Sequence, residues 1–192
     1  MAVTAVTGEI GAGKSTVSGI LAGLMKCTVI DADKIAAEIW TRPDIMRVFT
    51  ERWGSNILDA HGNIIRAEIA EHIFTSTEEH KFCNSVIHPL VMDEIRRLTI
   101  SIDAVAEIPL LPEAVQGRKP EWISRAVYVM AEFDVRAERC RVSRRWSRDE
   151  LTRRETFLLP ESERLSFCDY VIRNNGSLSD LQRQAVKFLQ EL

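Results

Sequence analysis

The chain has 192 residues, 45% of them hydrophobic, and a formal net charge of −3. This describes one packed domain, with or without insertions, that needs no disulfide staples. The charge argues against a general nucleic-acid-binding surface, and no run reaches the roughly 20 apolar residues of a membrane span.

Residues 2–7 form a β-branched run that predicts a first, buried strand rather than a secretory signal, so a cytoplasmic location is expected. Residues 16–25 predict the helix that follows. Between them stands Gly8-Glu-Ile-Gly-Ala-Gly-Lys-Ser15, a phosphate-binding loop in its proper setting. Glycines let a backbone wrap a phosphate and aim N–H groups at its oxygens, and the helix start adds its positive dipole end. Gly8, Gly11, Ala12, Gly13, Lys14, Ser15 and Thr16 are therefore the expected ATP-binding residues. Lys14 is expected to reach the β- and γ-phosphates as a catalytic group, and the Ser15 hydroxyl to hold Mg²⁺. The chain reads as a nucleoside triphosphate binder.

Residues 27–30, 103–108, 126–130 and 170–172 predict four more buried strands, with helical stretches between them. The expected fold is an α/β, P-loop NTPase-like, doubly wound parallel five-stranded sheet, with ligands at the C-terminal strand ends. Residues 1–33, 100–133 and 169–192 would form its nucleotide-binding core. Residues 34–99 predict a helical substrate-binding insertion, with helices at 34–40, 43–53, 66–74 and 78–99. Pro43 suits a first helical position, Thr77 a cap, and residues 59–62 a turn.

Residues 134–168 predict a helical lid. Between Arg136 and Arg154 stand eight arginines against Glu138, Asp149 and Glu150. They read either as a solvated face or as phosphate contacts, and the nearby phosphate loop favours the second. A closing lid would exclude water, the competing phosphoryl acceptor.

Phosphoryl transfer needs a carboxylate to hold Mg²⁺, directly or through water, and often one to accept a proton. Asp31 and Asp33 follow the second strand, and Glu107 ends the third. Asp33 is the expected catalytic carboxylate, Asp31 a substrate contact or helix cap, and Glu107 the metal-side group. His88, before Pro89 at an expected helix break, is a substrate-side candidate. The four cysteines, Cys27, Cys83, Cys140 and Cys168, lie far apart and read as reduced thiols.

Taken together, these segments resemble the dephospho-coenzyme A kinases. The matches are residues 7–16, Val29-Ile-Asp-Ala-Asp33, His88-Pro-Leu-Val91, Ile108-Pro-Leu-Leu111 with Glu113, and Asp169-Tyr-Val-Ile172 followed by Asn174-Asn-Gly176. The loop is shared by many families, whereas the other segments in this order are specific. The resemblance implies ATP-dependent phosphorylation of the ribose 3′-hydroxyl of dephospho-coenzyme A, the last step of coenzyme A synthesis. It implies Mg²⁺-ATP as donor and a coenzyme A-side insertion; a monomer is expected, and charge and hydropathy predict no nucleic-acid or membrane partner. It places Asp33 near the acceptor hydroxyl and matches Arg139 to a catalytic lid-leading arginine. Asp31, Asp33, His88 and Leu111 would meet the substrate.

The chain departs from the family pattern at Glu107, at Pro112 (usually Phe), at Leu158 (commonly Gln) and at Ser143-Arg144-Arg145. By a one-residue shift, Arg144 or Arg145 would take over an ATP contact. Two other readings stand beside this one. One is another small-metabolite kinase: the chain's lack of any Gly-Gly pair counts against a shikimate-like enzyme, and its His88-Pro-Leu and Pro109-Leu-Leu segments count against a nucleotide-kinase-like one. The other is a non-catalytic ATP-binding regulator, motivated by the altered lid.

Overall fold

The computed structural model describes residues 2–191. The larger of its two compact units comprises the described residues up to Ala32 and from Ile95 on. It is built on five strands: β1 (Val3–Gly8), β2 (Thr28–Asp31), β3 (Ala104–Glu107), β4 (Arg125–Met130) and β5 (Tyr170–Arg173). All pairings are parallel, in the order β2-β3-β1-β4-β5. Each predicted strand is present within a residue or two of its expected ends. Val6, Val105, Val127, Val129 and Ile172 are almost completely buried in one apolar cluster, as expected for strands covered on both faces.

Helices α1 (Lys14–Met25) and α10 (Leu178–Gln190) add Val17, Leu21, Leu181, Ala185 and Phe188 to the same cluster. The start of α10 is set by a capping box. Ser177 accepts from the Asp180 N–H, and the Asp180 carboxylate accepts from the Ser177 N–H. Three helices occupy the Arg-rich stretch: α7 (Phe133–Arg144), α8 (Arg148–Glu155) and α9 (Glu161–Phe167). Ser147 caps α8 by accepting from the Glu150 N–H at 3.1 Å.

The second unit, Asp33–Glu94, is helical. It holds α2 (Ala32–Ile39) from Asp33 on, α3 (Pro43–Trp53), α4 (Arg66–Thr75) and α5 (Thr77–Thr99) as far as Glu94. Its core is aromatic: Phe49 is fully buried, with ring centroids 4.4 Å from Trp40, 4.8 Å from Trp53 and 5.6 Å from Phe82. The Trp53 indole donates to Glu79 at 2.6 Å, which satisfies its N–H beside that core. Pro43 occupies the first position of α3, where its missing N–H costs nothing. Asp59 closes the turn after α3 by accepting from the N–H groups of His61 and Asn63, both at 2.8 Å.

Two local expectations are corrected. Thr77 is the first residue of α5 rather than its cap, and the Ser76 hydroxyl accepts from the Glu79 N–H at 3.3 Å. Helix α5 also runs unbroken through Pro89, so His88 sits mid-helix and not at a break. Tertiary packing along 23 residues outweighs the one hydrogen bond that proline removes.

Candidate active site

The phosphate loop links β1 to α1, beyond the C-terminal end of the central strand. Its glycines are required by geometry. Gly8 has φ +143°, and a Cβ there would stand 2.0 Å from the Val129 carbonyl oxygen. Gly13 has φ +90°, and a Cβ there would meet Asn174 Nδ2 at 2.4 Å and lie 3.9 Å from Arg139 Nη1. Asn174 and Arg139 thus abut the loop. Both donate to the Ala12 carbonyl, at 2.7 Å and 3.3 Å, and Arg139 also donates to the Asn174 carbonyl at 3.0 Å. Lys14 folds over the same loop, its Nζ donating to the carbonyls of Glu9 (2.9 Å) and Gly8 (3.2 Å). Thr16 follows in the first turn of α1.

Strand register places the carboxylate expected on the metal side. Glu107 pairs with Val6 on one side and with Asp31 on the other, which puts the two carboxylates side by side at neighbouring strand ends. The Ser15 hydroxyl donates to Glu107 Oε1 at 2.8 Å across 92 positions of sequence. Burial raises the Glu107 carboxyl above its ordinary range. The Ser15 hydrogen bond and the Lys14 charge pull the other way, and the Asp31 charge raises it further. A hydroxyl and neighbouring carboxylates are the hard oxygen donors that Mg²⁺ prefers. Among the described residues there is no cluster of three or more His, Cys, Asp or Glu side chains able to cage a metal.

In the helical unit, Asp33, Ala36, Trp40, Asn63, Ile64 and Arg66 are among the residues lining a cavity of about 490 Å³. That is the size of a small-molecule site. Asp33 lies in the first turn of α2. His88 is half-buried on α5, and burial together with the His80 charge pushes it down to about 4, so its imidazole is neutral. Burial also lowers His80, which lies 3.3 Å from Asn84 Nδ2.

Both imidazoles regain an ordinary value near 6.5 on unfolding, so the unfolded chain binds more protons below that pH. Their contribution is complete above pH 6.5 and is lost as the pH falls toward 4. Urea titrations should show stability dropping from pH 7 to pH 5, with His88 supplying about 1–2 kcal/mol of the loss. In His88→Asn that increment should vanish, and an unchanged slope in the variant would refute the assignment.

Other expected site residues lie elsewhere. Leu111 begins α6 (Leu111–Ala114) and is fully buried. It packs in the core with no exposed surface. Arg144 is exposed, lies 4.9 Å from the Trp146 ring centroid and reaches Cys140 Sγ at 3.9 Å, while Arg145 caps α7 at φ +59°. Arg141, Arg148 and Arg153 pair with Glu138, Asp134 and Glu150 on the surface, where such pairs contribute little. Arg139 and the buried Arg136 do reach the loop. Arg136 and Glu9 were not among the expected site residues. Their sequence signal was an acidic residue inside a phosphate loop, which calls for a cation.

The dephospho-CoA kinase family model matches residues 2–180. The chain belongs to the dephospho-CoA kinase family. Dephospho-CoA kinase of Carboxydothermus hydrogenoformans is 37% identical over 98% of this chain and 93% of its own. Dephospho-CoA kinase of Campylobacter jejuni, a solved structure, superposes with a TM-score of 0.66 at 25% identity, covering 98% and 96%. Shikimate kinase of Bacteroides thetaiotaomicron superposes at 0.60 with 16% identity, covering 100% and 99%, which shows the shared P-loop kinase fold alone. The dephospho-CoA kinase match thus spans both the parallel sheet and the helical unit.

Proposed function

We propose that the chain transfers the γ-phosphoryl group of ATP to the ribose 3′-hydroxyl of dephospho-coenzyme A, giving coenzyme A and ADP. The observation that carries this reading is the loop site, with Lys14, Ser15, Glu107 and Arg139 gathered at the strand ends, in a chain that matches the family over residues 2–180. The family match favours this acceptor over the small-metabolite and regulatory alternatives, and the cavity beside Asp33 is of ligand size.

In this reading the loop N–H groups bind the triphosphate, and Lys14 leaves its carbonyl partners for the β- and γ-phosphates. Ser15 and Glu107 would hold Mg²⁺, which when bound neutralises phosphate charge. Asp33 orients the 3′-hydroxyl and accepts its proton as the oxygen bonds to the γ-phosphorus. The bond to the β-phosphate oxygen breaks, and ADP leaves. Arg139, already seated on Ala12, stabilises charge on the transferred group. Asp31 and His88 contribute on the acceptor side, and Arg144 would reach ATP on lid closure. The working form is a cytoplasmic monomer with no nucleic-acid partner. Among the described residues no helix is long and apolar enough to cross a membrane.

The test follows ADP release and coenzyme A formation from Mg²⁺-ATP, with and without dephospho-coenzyme A. Stimulated, stoichiometric formation of both products is expected. ATP binding without stimulation would overturn the acceptor assignment. Glu107→Gln should raise the Mg²⁺ concentration for half-maximal rate about tenfold, as loss of a supporting ligand usually does. An unchanged Mg²⁺ requirement would take Glu107 out of the metal site.

A further inference from the structure

Arg136 is 6% exposed, and the partners of its guanidinium come from the phosphate loop, from the residue just beyond β4 and from α8, all within the nucleotide-side unit. Nε lies 3.1 Å from the Glu9 carboxylate in the phosphate loop and donates to the Ala131 carbonyl, just beyond β4, at 2.9 Å. Nη1 donates to the Ile10 carbonyl at 3.3 Å and pairs with Glu155 at the end of α8. Glu9 is equally buried, and its Oε2 accepts from the Ala131 N–H at 2.8 Å. Burial raises the Glu9 carboxyl, while the Ala131 hydrogen bond and the Arg136 charge hold it down. The contact is close all along the loop, since a Cβ on Gly11 would stand 2.8 Å from Cys140 Sγ and 2.9 Å from the Arg136 carbonyl oxygen of α7.

A buried ion network is a poor source of stability, because desolvation offsets most of its attraction. It does specify geometry. The Glu9 carbonyl also receives Lys14 Nζ at 2.9 Å, so the residue that anchors Glu9 shapes the loop from which the lysine turns to the phosphates. The contacts run without a break from Glu155 through Arg136 and Glu9 to Lys14.

We propose that Arg136 is a positioning residue for phosphoryl transfer: through Glu9 it holds the phosphate loop in its binding shape, and through Glu155 it ties that shape to helix α8. The inference rests on the phosphotransfer reading of the same loop. It assigns Arg136 to the loop's geometry rather than to contact with the transferred group. It also assigns Glu9 the task of anchoring an acidic loop that would otherwise repel a triphosphate. With Arg136 removed, the Glu9 carboxylate stands uncompensated in the loop. Replacing both together removes the repulsion.

The test measures ATP affinity by calorimetry, KM and kcat by product formation, and Tm, for four variants of the full chain. Arg136→Met should weaken ATP binding about tenfold or more, the cost of orphaning one partner of a buried pair. Adding Glu9→Gln should restore affinity to within about threefold of wild type. Glu155→Gln, which leaves the Glu9 pair intact, should raise the KM for ATP about fivefold with Tm nearly unchanged. Arg136→Lys, which keeps the charge but not the fork, should fall between wild type and Arg136→Met. A merely structural role would lower Tm and leave ATP affinity and KM within twofold of wild type in every folded variant, which would overturn the proposal. Glu155→Gln and Arg136→Lys decide the matter where Arg136→Met does not fold. Failure of the phosphotransfer reading is separate, since it would appear as an inactive wild type.

Discussion

Replacing Lys14 by alanine should lower kcat/KM roughly a thousandfold, about 4 kcal/mol of transition-state stabilisation, in a chain that remains folded. The lysine lies over the phosphate loop, held by the carbonyls of Glu9 and Gly8 at 2.9 and 3.2 Å. An arriving triphosphate offers it far stronger charge-assisted partners. Its attraction grows as charge shifts toward the β–γ bridge during transfer, so the loss should fall mainly on kcat rather than on ATP binding alone. The core beneath the loop is supplied by Val6, Val17 and Leu21, so circular dichroism and Tm should change little. Near-normal turnover in the folded variant would remove the loop lysine from the mechanism.

Asp33→Asn should lower kcat about a hundredfold or more while leaving the KM for ATP within about twofold. The amide keeps the shape and hydrogen-bonding reach of the carboxylate but cannot accept a proton. The residue sits in the first turn of α2 and in the wall of the 490 Å³ cavity, so its loss should be felt on the acceptor side. Equal losses in kcat and in ATP affinity would recast Asp33 as a binding group. The two variants together separate donor-side from acceptor-side chemistry.

Much of the architecture was legible because its signals are local. Short β-branched runs, the Gly spacing of residues 8–15, Pro43 at a helix start and the Asp59 turn each depend on a few neighbouring residues. Those elements formed where the residues called for them. Where proline met a long packed helix the local rule lost, and α5 passes through Pro89 because neighbouring turns hold it.

The arginines between positions 136 and 154 show where local reading stops. Composition marked the segment as important but could not rank its members, since charge alone does not say which side chain faces inward. Packing ranks them. Arg139 reaches the Ala12 and Asn174 carbonyls, Arg136 lies buried against Glu9 and Glu155, and Arg144 lies over Trp146. Leu111 was read as a substrate contact from its motif, yet it is wholly enclosed, a distinction that only the surrounding atoms make.

By itself, the sequence determined that a glycine-rich loop of the phosphate-binding pattern stands at residues 8–15 and that alternating strands and helices surround it. These follow from backbone conformations that only certain residues allow, and from periodicities a few residues long. The tertiary structure alone decided that Ser15 meets Glu107 across 92 positions of sequence and that Asp31 stands beside it, because β3 pairs with β2 on one side and, on the other, with β1, which leads into the helix that carries Ser15. It also decided that the loop's acidic residue is held by Arg136, because a buried carboxylate is costly unless a cation and an N–H compensate it.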